Sequence, residues 1–273
     1  MVLWGLYMTA YNFDKDLMNT SLALTICADS RKYAESAAQA AFFLTERIEE
    51  QISMYKAGSD IYAINNAKVG DYVRLGEYST ECLALSGQVY EKTLGAVDVC
   101  MGQFFTNAKN QTKYEKPSRI TLKIDNYNFI AQKTGEGCLD FGAVGKGYAV
   151  DKIAELLKDE WSIENALIDF GSSTMLAIGA SENSDGWKVL LNGEDKNFVL
   201  KDGQALAGSG IRVQGHHIID PMAGTAPKKD AEFIYAVADS GFLADAFSTA
   251  FMILDDSDIE YVCKANAVKC IKF

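Results

Sequence analysis

Proline and histidine are scarce: the 273 residues hold three prolines and two histidines. So few prolines leave no Pro-rich linker, and no low-complexity tract or internal repeat stands out. The histidines are the adjacent pair His216-His217. That excludes a His-rich zinc site and gives a Ser-His-Asp triad only one place to find its base. None of the six cysteines, at 27, 82, 100, 138, 263 and 270, forms Cys-x-x-Cys. Most sit in apolar stretches such as Leu24-Thr25-Ile26-Cys27, so they read as small buried hydrophobes of a reducing compartment, not as a disulfide framework. No apolar run reaches the length a bilayer needs. The apolar start, Met1 to Met8, is short and lacks a basic flank and a small-residue cleavage site, which makes it a poor signal peptide. The expectation is a cytoplasmic chain with no membrane insertion. Positive charge is also short, 26 Lys+Arg against 37 Asp+Glu, for a net charge of −11. This argues against a general nucleic-acid binder, which would show a basic face. A chain this acidic that handles a phosphorylated ligand must neutralise it locally, with a metal ion or one placed lysine.

The length fits one large domain or two intimate halves, and with no linker residues 1–273 read as a single domain. Residues 18–27 read as a strand, with Leu22, Leu24 and Ile26 alternating against smaller or polar neighbours. Asp29-Ser30 offers a helix cap, and apolar positions 34, 37, 38, 41, 44, 48, 52 and 55 keep helical period until Gly58. A second helix is expected from a Ser79 cap through 80–93, and a hairpin over 119–124 and 128–133 with its turn at Asp125 to Asn128. Helices over 147–159 and 243–254 bracket strands near 165–170, 174–178, 187–191, 197–200 and 231–238. The tail, 258–273, reads as a short helix and a strand. Strands in meander-like groups between helices favour an α+β fold with mixed, largely antiparallel sheets and packed helices.

Three segments carry candidate chemistry. Asp140-Phe-Gly-Ala-Val-Gly-Lys-Gly147 opens the helix at 147. Glycines before a helix N-terminus let backbone N–H groups approach a phosphate, and Lys146 adds a point charge. The segment fails as a Walker A loop at both ends, carries the dinucleotide glycines in reversed spacing, and lacks the His-Arg-Asp partner a kinase Asp-Phe-Gly needs. The alternative is a glycine-rich turn that packs a helix on a sheet. In Ala244-Asp245-Ala246-Phe247-Ser248-Thr249 the three polar residues share one face of an otherwise apolar helix. Burying an unpartnered carboxylate is costly, and a carboxylate with hydroxyls suits a hard cation such as Mg²⁺. The alternative is a capping Asp, with Ser248 and Thr249 bonding back to helix carbonyls. In His216-His217-Ile218-Ile219-Asp220-Pro221 a strand would end in a turn and bring a His near an Asp; taken alone, His217 reads sooner as a satisfied strand residue and Asp220 as a turn initiator. A fourth, weaker segment runs from Ile52-Ser53-Met54-Tyr55 to Ser59-Asp60-Ile61 and Asn65, where Tyr55 at a helix end could stack a ring or fill core.

In order along nearly the whole chain, these segments resemble the ApbE family of flavin transferases, the FAD:protein FMN transferases. Met18-Asn19-Thr20 looks like the family's Met-Gly-Thr, and Gly95-Ala96-Val97-Asp98 like its Gly-Ala-Phe-Asp. Asp140 to Asp151, His217 to Pro221 and Ala244 to Ala250 carry the rest. The resemblance implies a T-fold-like architecture with FAD in a cleft between two halves. Met18, Tyr55, Ala96, Val97 and Asp98 would line the nucleotide, while Asp140, Lys146, His217, Ile218 and Asp220 would hold the rest of FAD. Mg²⁺ would sit on the Ala143 carbonyl, Asp245 and Thr249, with Ser248 adjacent. The implied reaction moves FMN from FAD to a Ser or Thr hydroxyl of an acceptor protein and releases AMP. Lys146 and Asp245 would be catalytic, and His217 or a nearby carboxylate the base. Hydrolysis of FAD to FMN and AMP, or flavin binding without chemistry, are the alternatives. The sequence departs from the pattern at Asn19, where the family has Gly, at Gly171-Ser172-Ser173, where it has Gly-Gly-Asn/Asp, and in a short Gly208–Gly215 segment.

Overall fold

The computed structural model describes residues 8–102, 119–191, 197–210, 218–221, 227 and 233–272. Its first element is a hairpin of β1 (Thr9–Leu17) and β2 (Thr20–Ala28). The alternation read in the sequence holds in β2, where Leu22, Leu24 and Ile26 are at most 1% exposed. β1 was not expected; its Asp14-Lys15-Asp16 run is the charged pattern of an edge strand. The two-residue turn between them, Met18-Asn19, has φ of 50° and 61°. Two left-handed residues in succession form the turn whose twist matches the strands, and Asn is the side chain that best tolerates that region after Gly.

α1 (Arg31–Ile52) starts where expected, with Ser30 Oγ accepting from the Tyr33 amide. It ends three residues before Tyr55, because Ser53 Oγ captures the amides of Tyr55 and Lys56 and turns the chain. α2 (Asp60–Asn66), capped by Ser59, and β3 (Tyr72–Arg74) follow. α3 (Glu77–Lys92) begins at Gly76, earlier than the expected Ser79 cap. Gln51 at the end of α1 accepts from the Tyr78 and Ser79 amides, so a side chain distant in sequence caps the helix. β4 (Leu122–Asp125) and β5 (Ile130–Lys133) form the expected hairpin, with Asp125 Oδ1 accepting from Tyr127 and Asn128.

The remaining elements are α4 (Gly145–Asp159), β6 (Ala166–Phe170), β7 (Thr174–Ile178), β8 (Trp187–Leu190), β9 (Asn197–Leu200), β10 (Ala205–Gly210), β11 (Phe233–Ala238), α5 (Gly241–Ile253), α6 (Asp256–Asn266) and β12 (Lys269–Lys272). Seven strands form one sheet in the order β1-β2-β6-β7-β10-β11-β12, every neighbouring pair antiparallel. β3-β5-β4 and β8-β9 form two smaller antiparallel sheets. The architecture is the expected α+β with antiparallel sheets. No helix among the described residues is long and apolar enough to cross a membrane. None of the six cysteines is in a disulfide; Cys27 and Cys82 are buried and the other four half-buried. Burial lifts the thiols of Cys27, Cys82, Cys100, Cys138 and Cys263 above their ordinary range, Cys100 to about 11, so they stay protonated at neutral pH.

The large sheet is covered on both faces. α1, α4 and α5 pack on one. The β8-β9 hairpin packs on the other through Trp187, whose Nε1 donates to the Ile178 carbonyl at 3.0 Å. β10 was not expected because Ala-Leu-Ala-Gly-Ser-Gly lacks the bulky residues that mark a strand. Its small side chains let α5 lie close against it. α4 and α5 also approach closely at their first turns. A Cβ on Gly241 would lie 2.7 Å from the Gly147 carbonyl, and one on Gly147 would lie 2.8 Å from the Asp245 Cβ. Asp151 of α4 then caps α5, accepting from the Gly241 and Phe242 amides at 2.5 and 2.9 Å. Gly241→Ala should therefore cost about 1–3 kcal/mol, the usual cost of overpacking. Denaturant unfolding should show a lower midpoint at unchanged slope; an unshifted midpoint would mean that the two helices part without cost.

Candidate active site

α5 is buried nearly all round, and that burial carries its polar residues inward. Asp245 is 4% exposed and Ser248 fully buried. The carboxylate has three neighbours. Oδ2 accepts from the Gly147 amide at 2.9 Å and lies 3.7 Å from Lys146 Nζ, and Oδ1 accepts from Thr174 Oγ1 at 3.2 Å. Burial pushes its pKa up, opposed by Lys146 and by the hydrogen bonds from Gly147 and Thr174.

Asp245 does not cap α5; Ser240 does, with its Oγ accepting from the Leu243 amide. Ser248 does bond back, donating to the Asp245 carbonyl at 2.9 Å. Thr249 does not. Its Oγ1 lies 3.2 Å from Ser209 Oγ on β10, and Ser209 Oγ is also 2.9 Å from Ser248 Oγ. The capping alternative is thus excluded for Asp245 and holds in part for Ser248.

The glycine-rich segment meets this cluster at the start of α4. Asp140 Oδ1 accepts from the Gly142 amide at 2.7 Å, and the Val144 and Gly145 amides both turn back to the Phe141 carbonyl. In a regular helix the Gly147 amide would close the first turn on the Ala143 carbonyl. Here it goes to Asp245 instead. Among the described residues, the Ala143 carbonyl accepts no hydrogen bond and the Lys146 amide donates none. One orphaned acceptor and one orphaned donor therefore stand beside the buried carboxylate, a pairing that suits a cation and an anion bound together.

Other sequence-predicted residues gather around the same segment. Met18 reaches it from the β1-β2 turn: a Cβ on Gly145 would lie 3.5 Å from Met18 Cε. Ala96 and Val97 are buried, and Asp98 caps a short 3₁₀ turn through the Cys100 amide. Asp98 Oδ2 also takes Arg119 Nε at 2.6 Å, with that guanidinium over the Tyr90 ring. Asp140 is tied to this turn by its amide, which donates to the Val99 carbonyl at 2.9 Å. Tyr55 lies apart, past the end of α1 and 61% exposed. Ile218 is buried and Asp220 half-buried, but 218–220 forms no strand, so the expected strand ending at Asp220 is not found there. His216 and His217 lie outside the described residues.

Sequence reasoning missed Thr174 and Ser209, hydroxyls on strands whose sequences carry no chemical signal. It also passed over Asn65 as a positioning group. The Asn65 side chain donates to the Leu139 carbonyl at 2.9 Å and accepts from the Leu139 amide at 2.7 Å, which pins the chain entering Asp140. Buried Lys133 holds the end of α2 beneath it, donating to the Ile64 and Asn65 carbonyls.

Fold and site together define an α+β scaffold with one buried carboxylate among hydroxyls, facing a glycine-rich helix start. The ApbE family model matches residues 18–271, and the chain belongs to that family. It is 22% identical over 264 residues to the FAD:protein FMN transferase of Escherichia coli (strain K12), spanning 82% of this chain and 75% of that one. The fold superposes on the apo flavinyl transferase ApbE of Pseudomonas stutzeri with a TM-score of 0.82 at 20% identity, over all of this chain and 94% of that one. The ApbE protein of Thermotoga maritima gives 0.81 at 22% identity, over 97% and 94%. The chain is an enzyme of the transferase class its relatives define.

The Asp245 environment generates a pH prediction. The folded chain holds the Asp245 proton more tightly than the unfolded chain does. Stability of the protein in chelator should therefore fall as pH rises from about 4 through the raised pKa of Asp245. Asp245→Asn keeps the shape without the charge. In chelator at pH 7 it should melt at or above the parent, with the gap closing as pH falls. A parent that stays the more stable across that range would mean that its hydrogen bonds outweigh the burial of charge.

Proposed function

We propose that the chain transfers FMN from FAD to a Ser or Thr hydroxyl of an acceptor protein, with Mg²⁺ as cofactor and AMP as the leaving product. The observation that carries this reading is the Ala143 carbonyl, left without an amide partner because Gly147 bonds to Asp245. A carbonyl, a carboxylate and hydroxyls are the oxygen donors that Mg²⁺ takes. Asp245 and the hydroxyls around it present oxygen atoms alone. Ala143, Asp245 and Thr249 would hold the ion, with Ser248 alongside. Bound there, it would offset charge developing on the pyrophosphate.

The chain's own residues supply the rest. Lys146 adds a fixed positive charge at the helix start, where the free amide and the helix dipole also favour an anion. Met18, Ala96, Val97 and Asp98 would line the nucleotide together with Tyr55. Because Asp98 is already bonded to Arg119 and to the Cys100 amide, its carboxylate would shape that wall more than bond new partners. Asp140, Ile218, Asp220 and His217 would hold the flavin side. In the transfer, the acceptor oxygen bonds to the FMN phosphorus, the pyrophosphate P–O bond breaks, and AMP leaves with that electron pair. The hydroxyl proton passes to a base, His217 or a nearby carboxylate. A reducing, cytoplasmic setting belongs to the same reading, supported by six cysteines of which none is in a disulfide.

The test is mass spectrometry of candidate acceptor proteins after incubation with the protein, FAD and Mg²⁺. An acceptor that gains the mass of FMN, with equimolar AMP, is the expected result. Asp245→Ala should slow this on the order of a hundredfold or more while leaving a folded protein. Rapid release of free FMN without any acceptor would instead define a FAD hydrolase, and bound flavin without turnover a binding protein.

A further inference from the structure

Ser209 belongs to none of the motifs that carried the functional reading, yet it touches two of the hydroxyls beside Asp245. Counting protons gives these hydroxyls a direction. One arrangement alone makes all three contacts hydrogen bonds at once: a carbonyl only accepts, so in it the single proton of Ser248 goes to the Asp245 carbonyl at 2.9 Å. Ser248 Oγ must then accept from Ser209 Oγ, 2.9 Å away. That uses the single proton of Ser209, so the 3.2 Å contact with Thr249 is donated by Thr249. Thr249 Oγ1 has no other hydrogen-bond partner among the described residues. The chain runs Thr249 to Ser209 to Ser248 to the Asp245 carbonyl, and it turns the Thr249 proton away from the site.

We infer that Ser209 is a positioning residue that fixes the Thr249 hydroxyl with its lone pairs toward the cation. A hydroxyl free to rotate can aim its proton at an incoming cation, and it must be reoriented before it can serve as a ligand. A hydroxyl anchored by its own proton meets the cation as an acceptor already. Groups of this kind behind a ligand typically change metal affinity about 10–100-fold when removed. β10 suits the role because its alternate residues Ala205, Ala207 and Ser209 face α5: Ala205 and Ala207 pair with Leu176 and Thr174 of β7 on that side. The small alanines bring the strand near enough for Ser209 to reach both hydroxyls.

The inference rests on the proposed Mg²⁺ site, and calorimetric titration of Mg²⁺ into the protein with FAD separates the two. Ser209→Ala should weaken Mg²⁺ binding about tenfold, while Asp245→Ala removes the binding heat. Ser209→Ala should add no further loss in a Thr249→Val background, since Ser209 acts through Thr249. Ser209→Thr, which keeps the hydroxyl, should restore most of the affinity. Unchanged affinity in Ser209→Ala, alongside lost binding in Asp245→Ala, would overturn the role of Ser209 and leave the metal site standing. So would full additivity with Thr249→Val. No Mg²⁺ binding by the parent would overturn the metal site, and this inference with it. Where Ser209→Ala does not fold, Ser209→Cys, similar in size with a weakly bonding thiol, carries the same comparison, and parental affinity there would overturn the role as well.

Discussion

The contact between the Gly147 amide and the Asp245 carboxylate holds the site together. It exists only because α4 and α5 meet at two glycines with no side chain between them. A Cβ on either would push the helices apart and draw the carboxylate from the amide. The same contact diverts Gly147 from its helical partner and leaves the Ala143 carbonyl open. Asp151 reinforces the crossing by capping α5 from α4. Helix packing and site chemistry are thus one constraint: the feature that lets the helices touch also creates the donor set.

That constraint explains why a buried carboxylate persists in so apolar a helix. Burying a charge is unfavourable unless it is paired and hydrogen-bonded. Asp245 has a cation, an amide and a hydroxyl as partners, yet its pKa is still raised, so burial prevails over their combined effect. A group held at such a cost is a sign of function. The surrounding hydroxyls of Thr174, Ser209 and Ser248 are neutral, which limits the desolvation that a wall of further carboxylates would have imposed.

Much of this was legible in the sequence where a residue's role is local. Ser30 caps α1, Asp125 closes its hairpin, and the apolar stripes of α4 and α5 announce helices. Asp245 and Lys146 were legible because a carboxylate in an apolar run demands a partner and a lysine among glycines offers one. What was missed depends on partners far along the chain. Gln51 caps α3 across 27 residues, so Ser79 was misread as the cap. Thr174 reaches Asp245 across 71 residues and Ser209 reaches Ser248 across 39. β10 was invisible because the alanines that let α5 approach, and the glycines beside them, are poor strand formers in isolation. Asn19, a departure from the family's glycine, fits its turn because φ there is positive and Asn tolerates it. Gly171, kept at a φ of 63°, also faces Thr20 so closely that any side chain would clash.

The acidity of the chain finds its place in the same geometry. A net charge of −11 repels a pyrophosphate at long range, so attraction has to arise within a few ångströms, where screening is weakest. Lys146 and Asp245 are adjacent and cancel one another. Under the proposed function, a dication entering beside them would bring its full charge to bear on the two anionic oxygens of FAD's pyrophosphate. Without it, the pair would leave the pyrophosphate facing little more than the start of α4 and its free amide. Under that function, a site so nearly neutral on its own would tie phosphate binding to the cation. Such a dependence would let the bond break only when metal and nucleotide are both in place.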